Sequence, residues 1–337
     1  MAIRKTAEQI KDEILSSLNK GPLSIEQIRK KVESNWSTIN NYLEELSKEG
    51  KVKEIISTDK AKIYLRVFGD TYFDIPITDE ERKKFRTLFS MIMQEYKAVG
   101  SIPTKTHLSK CAVYIIKDKN SGLSDLPTVW YLYGIIPQMI ADPSQEYEEE
   151  VNLEHRTIIK NLIIEFNKTN GNKGSGRIQR EQHKEYNEEL YILSDEFFSI
   201  VNKQKWCNKE VLDILNKFFI ACPVDQEFPE IFDLTEKVFS IIRKLGLMNI
   251  KLQNYRKEIF SVFDSLWKFI ALYKLYKSKI IGKNAIDREI LLKFYLGNTL
   301  ESRKKNLQES ISELNSIYLN NLVNFEQGKI KLPTEVQ

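Results

Sequence analysis

Two helix-start signatures constrain the first fifth of this chain more tightly than any other feature. Thr6-Ala7-Glu8-Gln9 and Ser24-Ile25-Glu26-Gln27 each set a hydroxyl residue three positions before a glutamine. In such a capping box the hydroxyl accepts from the third amide, and the glutamine reaches back to the cap. Ile10, Ile14 and Leu18 recur at helical spacing after the first box, so a helix is predicted to about Asn19, stopped by Gly21-Pro22. Ile28 and Val32 give the second helix its inner face. A tight turn near Glu33-Ser34-Asn35 then leads to a third helix that buries Ile39, Leu43 and Leu46, with Tyr42 beside them, and ends at Gly50. Residues 51–56 and 62–67 are β-prone, and Ser57-Thr58-Asp59-Lys60-Ala61 between them reads as a hairpin turn.

Three helices with a tight second turn, followed by a hairpin, is the order of a helix-turn-helix with a wing. Ser24-Ile25-Glu26-Gln27-Ile28, Ser37-Thr38-Ile39 and the stretch from Leu43 to Val52 (Leu-Glu-Glu-Leu-Ser-Lys-Glu-Gly-Lys-Val) resemble the winged helix-turn-helix transcriptional regulators common in archaea and bacteria. The resemblance implies double-stranded DNA as partner, with the third helix in the major groove and the wing on the backbone. Trp36, Ser37, Thr38, Asn40 and Asn41 open that helix away from its apolar face. Asparagine can pair with adenine, Ser or Thr with base edges or phosphate, and Trp36 can meet a thymine methyl. Lys51, Lys53, Lys60 and Lys62 are the expected phosphate contacts, with Arg29, Lys30, Lys31 and Arg66 around them.

One feature opposes this. No Lys or Arg lies between Ser34 and Ser47, whereas Glu44 and Glu45 do. The same elements could serve a protein-docking adaptor, with the lysines as a solvated face. Charge distribution favours nucleic acid. The net charge is only +4, but residues 1–68 hold 13 Lys+Arg against 10 Asp+Glu, and the remainder 38 against 37. The excess therefore sits on the end expected to meet phosphate.

Beyond Val67 the periodicity is helical, so the fold class is expected to be mainly α: an N-terminal winged helix followed by a large all-helical region. Thr78 caps a helix carrying Phe85, Leu88, Phe89, Ile92 and Tyr96. Another spans about Thr104 to Lys117, and an apolar segment runs from Val129 to Ile140. The pattern of Leu108, Lys110 and Tyr114, followed by Tyr133-Gly134, is similar to small prokaryotic domains of antitoxin and regulator type, which implies an antitoxin-type regulator as a further alternative. A polar, glycine-rich stretch at residues 167–177 reads as a linker. The expected domains are thus 1–68, 75–166 and 178–327, the last for dimerisation or sensing. Leu300, Leu307, Ile311, Leu314, Tyr318 and Phe325 follow three- and four-residue steps, so residues 300–325 are a candidate homodimer seam or an internal packing face.

Enzyme and metal chemistry find no foothold. His107, His155 and His183 are too few for a histidine cluster, and His107 with Cys111 makes only half a ligand set. Gly171 and Gly176 have phosphate-loop spacing, but Arg177-Ile178 stands where Lys and Ser or Thr are needed. No cofactor and no catalytic set is expected. Cys111, Cys207 and Cys222 are scattered and odd in number, which favours a reducing, cytoplasmic setting. The apolar run 259–281 carries Asp264 and four lysines, so no membrane association is expected, and residues 1–19 have no signal-peptide core.

Overall fold

A computed structural model describes residues 5–58, 61–226, 228–248, 250–280, 288–289 and 291–327. The chain is mainly helical, with two small antiparallel sheets. Its N-terminal elements are α1 (Ala7–Ser17), β1 (Leu23–Ser24), α2 (Ile25–Val32), α3 (Trp36–Lys48), β2 (Val52–Thr58) and β3 (Ala61–Arg66). Both capping boxes form: Thr6 accepts from the Gln9 amide, Ser24 from the Gln27 amide, and each glutamine reciprocates. Ile14, Leu18, Ile28, Val32, Ile39, Leu43 and Leu46 are fully buried and make one core with Ile25, Val52 and Tyr64.

One further contact ties the helical segment to the hairpin. The two-residue β1 pairs with β3, Leu23 opposite Tyr64, so the sheet order is β1-β3-β2. Glu54 of β2 stands opposite Tyr64 from the other side, and a bulge follows between Glu54 and Ile56. Glu33 ends α2 in a left-handed conformation (φ 53°), which turns the chain sharply enough for Asn35 to cap α3 two residues later.

The chain divides into two compact units. One comprises Met1–Val129, Ile135–Asn172 and Lys279–Gly297; the other comprises Trp130–Gly134, Lys173–Ser278 and Asn298–Gln337. In the first, α4 (Asp79–Ala98), α5 (Lys105–Lys117) and α6 (Arg156–Asn170) pack around Phe85, Phe89, Leu108, Cys111, Ile159 and Ile163, all fully buried. Lys110 is also buried there, its ammonium donating to the Ile135 carbonyl at 2.8 Å. In the second unit, α7 (Ser175–Glu185), α8 (Glu189–Val201), α9 (Asn208–Ala221), α10 (Pro229–Leu247), α11 (Arg256–Ile280) and α12 (Gly297–Glu326) enclose an aromatic core. Phe197 stacks on Phe263 at 3.7 Å between centroids, and Phe218, Tyr191 and Trp267 surround them.

The region after Val67 is mainly helical but not all-helical. Thr128–Tyr131 and Gly134–Pro137 pair as strands β4 and β5. Thr, Val, Trp and Tyr in succession favour a pleated conformation. Gly134 takes φ 85° just after the two-residue loop, a conformation open to glycine without strain. The glycine-rich stretch is also shorter as a connection than its composition suggests. Helix α6 continues through Asn170 and α7 begins at Ser175, leaving only four connecting residues.

Candidate nucleic-acid interface

Helix α3 is positioned by its buried stripe and its cap. The Asn35 side chain accepts from the Thr38 amide at 2.8 Å and from the Ser37 hydroxyl at 2.9 Å. This fixes the first turn and occupies Ser37. Trp36 is the first helical residue and is 52% exposed, high for so large an apolar group. Asn41, Glu44, Glu45 and Lys48 are exposed; Thr38 and Asn40 are half-buried. The Asn40 amide donates to Glu44 Oε1 at 2.8 Å, while its own carbonyl oxygen is buried without a partner.

The acidic residues of α3 fall into two groups. Glu45 lies 2.7 Å from Lys11 of α1, and Glu49 is paired with Lys11 at 3.4 Å and Lys51 at 2.7 Å. These bonds hold the Glu49 carboxyl below its ordinary range and raise the Lys11 ammonium. Glu44 has no such cation among the described residues. Burial raises the Tyr64 hydroxyl, and the hydrogen bond to Glu54 and the charges of Glu54 and Glu44 raise it further.

The cations expected at phosphates are similarly divided. Arg29 is bound twice by Glu26, at 2.6 and 2.9 Å. Arg66 donates to the Leu15 carbonyl and the Asn19 side chain and lies over the Phe68 ring, so it holds the fold together. Lys51 is engaged with Glu49, and Lys62 lies 3.9 Å from Glu54. Lys53 is exposed on β2, and Lys30 and Lys31 are exposed on α2. Lys60 lies outside the described residues. The structure thus brings Trp36, Ser37, Thr38, Asn40 and Asn41 to one helix start, with Lys51, Lys53 and Lys62 on the adjoining segment and hairpin. Sequence reading did not single out Glu44 as a site residue. The signal was present, since Asn40 and Glu44 are four residues apart on one helix.

Other candidate sites are occupied structurally. His107 is buried with its ring nitrogens on Thr104 Oγ1 (2.8 Å) and the Asn170 carbonyl (3.2 Å). No cluster of three metal-ligating side chains exists among the described residues. No described helix is long and apolar enough to cross a membrane. Comparison with known proteins adds no relative: no family model, no curated protein and no solved structure matches this chain.

Proposed function

We propose that the chain is a sequence-specific DNA-binding transcriptional regulator whose N-terminal segment is a winged helix-turn-helix. The observation that carries this reading is the pairing of β1 with β3. It joins a short strand between the first two helices to the hairpin after the third. The three-helix core thereby gains a wing fixed to its edge, the arrangement in which a third helix enters the major groove. The exposed start of α3, together with exposed Lys30 and Lys31 on α2 and Lys53 on β2, supports the same reading.

The test is duplex binding by the full chain across a salt series. Replacing Lys53, Lys60 and Lys62 together by Ala should weaken binding to all sequences. Each lost phosphate contact should flatten the plot of log affinity against log salt by about 0.9. Absence of duplex affinity even at low salt would sink the reading.

Two subsidiary expectations accompany it. The regulator acts in the cytoplasm, in keeping with the three unpaired thiols of Cys111, Cys207 and Cys222. Two copies pair along α12 to read two half-sites. Leu307 and Leu314 are already buried within their own chain, so that pairing would rest on Leu319 and Val323, each about half exposed.

A second reading, a protein-docking adaptor, is favoured by one observation. Glu44 is an exposed carboxylate on α3 that meets no cation among the described residues, which gives that helix an acidic patch. A stoichiometric protein partner captured by the full chain, lost on Trp36→Ala and with no duplex shift, would select it.

A further inference from the structure

We propose that Glu44 is a base-reading residue of α3 and selects cytosine through its exocyclic amino group, with Asn40 holding the carboxylate in place. This rests on the DNA-binding reading above and names the specificity of the same site.

Helical spacing sets Glu44 on the exposed flank of α3, next to Asn41 and Lys48, which stand opposite the stripe of Ile39, Leu43 and Leu46. Asn41 is exposed on the same face and can read adenine, but two other polar side chains there are already committed. Ser37 donates to Asn35, and Asn40 donates its amide to Glu44 while its carbonyl is buried. Asn40 therefore cannot present the donor and acceptor pair that adenine needs. With no Lys or Arg between Ser34 and Ser47, nothing on the first three turns can fork onto guanine.

Glu45 and Glu49 are neutralised by Lys11 and Lys51, whereas among the described residues Glu44 meets no cation and only Asn40 engages it, at Oε1. Oε2 is left as an acceptor. A carboxylate can only accept, so it must meet a donor in the groove. The donors there are the amino groups of cytosine and adenine. Adenine carries an acceptor, N7, beside its amino group, which repels the second carboxylate oxygen; the cytosine edge carries none. Cytosine is the base that fits. Asn40 is a positioning residue, since it acts through Glu44.

The experiment is selection from a random duplex library with the full chain, repeated with Glu44→Gln, Glu44→Ala and Asn40→Ala. Glu44 is exposed, so its variants should melt with the parent. The parent should enrich cytosine at one fixed position, preferring it by roughly ten- to a hundredfold over other bases. Glu44→Gln should move that position to adenine, because a carboxamide supplies the donor for N7. Glu44→Ala should lose the preference there while keeping overall affinity. Asn40→Ala should relax the same position, and combined with Glu44→Ala it should add nothing.

Duplex binding with an unchanged preference in Glu44→Gln, or with guanine selected at the position, would overturn the inference and leave the DNA reading standing. An effect of Asn40→Ala at a different position would overturn its positioning role. Absence of any salt-dependent duplex binding by the parent would overturn both the DNA reading and this inference.

Discussion

Tyr64, 2% exposed on β3, donates its hydroxyl to the Glu54 carboxylate of β2 at 2.9 Å. The two residues are cross-strand partners, and Leu23 of β1 faces Tyr64 from the other edge. Tyr64 thus sits on the central strand of the N-terminal sheet and joins the helical core. Tyr64→Phe should remove one hydrogen bond and cost about 0.5–1.5 kcal/mol. Tyr64→Ala also empties a ring-sized space and should cost about 3–5 kcal/mol. Urea unfolding of the two variants separates these contributions; equal losses would show that the hydroxyl matters and the ring does not.

Asn35 fixes the start of α3 by accepting from the Thr38 amide. Asn35→Ala should destabilise by about 0.5–2 kcal/mol, and Asn35→Ser should recover most of it. Amide exchange is the direct measure: the Thr38 amide should exchange faster in the alanine variant and not in the serine variant. Unchanged exchange would mean that the helix start is held by something else.

Asp74 predicts a pH effect. Burial pushes its carboxyl up, and Lys53 and the Phe68 amide offset this only in part. The folded pKa lies above the unfolded one, so the ionised form is the one the fold disfavours. Asp74→Asn should therefore melt higher than the parent at neutral pH. The gap should close as pH falls through the folded value to the unfolded value near about 3.9. The backbone at Asp74 is left-handed, φ 54°, which asparagine adopts readily, so the replacement adds no strain. A gap independent of pH would show that burial of the charge is not its cause.

His183 and Asp195 test the second unit. Their side chains meet at 2.6 Å, with His183 buried against Tyr191, while its Nε2 has no hydrogen-bond partner. Asp195→Ala would leave the imidazole unpaired on both sides, at a cost of about 1–3 kcal/mol. Asp195→Asn, which keeps an oxygen in place, should cost less. Guanidinium unfolding followed by tryptophan fluorescence reports this, because Trp130 and Trp267 both pack on Tyr191.

The sequence alone determined the elements whose causes are local. Capping boxes at Thr6, Ser24 and Thr78, and the buried spacing Ile39-Leu43-Leu46, are set by residues within a few positions of each other. The Asn40–Glu44 bond belongs to this local class as well, although its consequence for the exposed face needed the burial of Asn40 to be seen. Tertiary structure alone decided the rest. A two-residue strand such as β1 has no periodicity to read and exists only because β3 offers it a ladder about 40 residues later. The four-residue strands of the 128–137 hairpin are too short to distinguish from an apolar helix by spacing. Lys11 meets Glu45 and Glu49 only once α1 packs on α3, and that packing separates these neutralised acids from Glu44, which meets no cation among the described residues. Backbone propensity acts over a turn of chain, whereas charge pairing and strand pairing act through space, and their outcome waits for the fold.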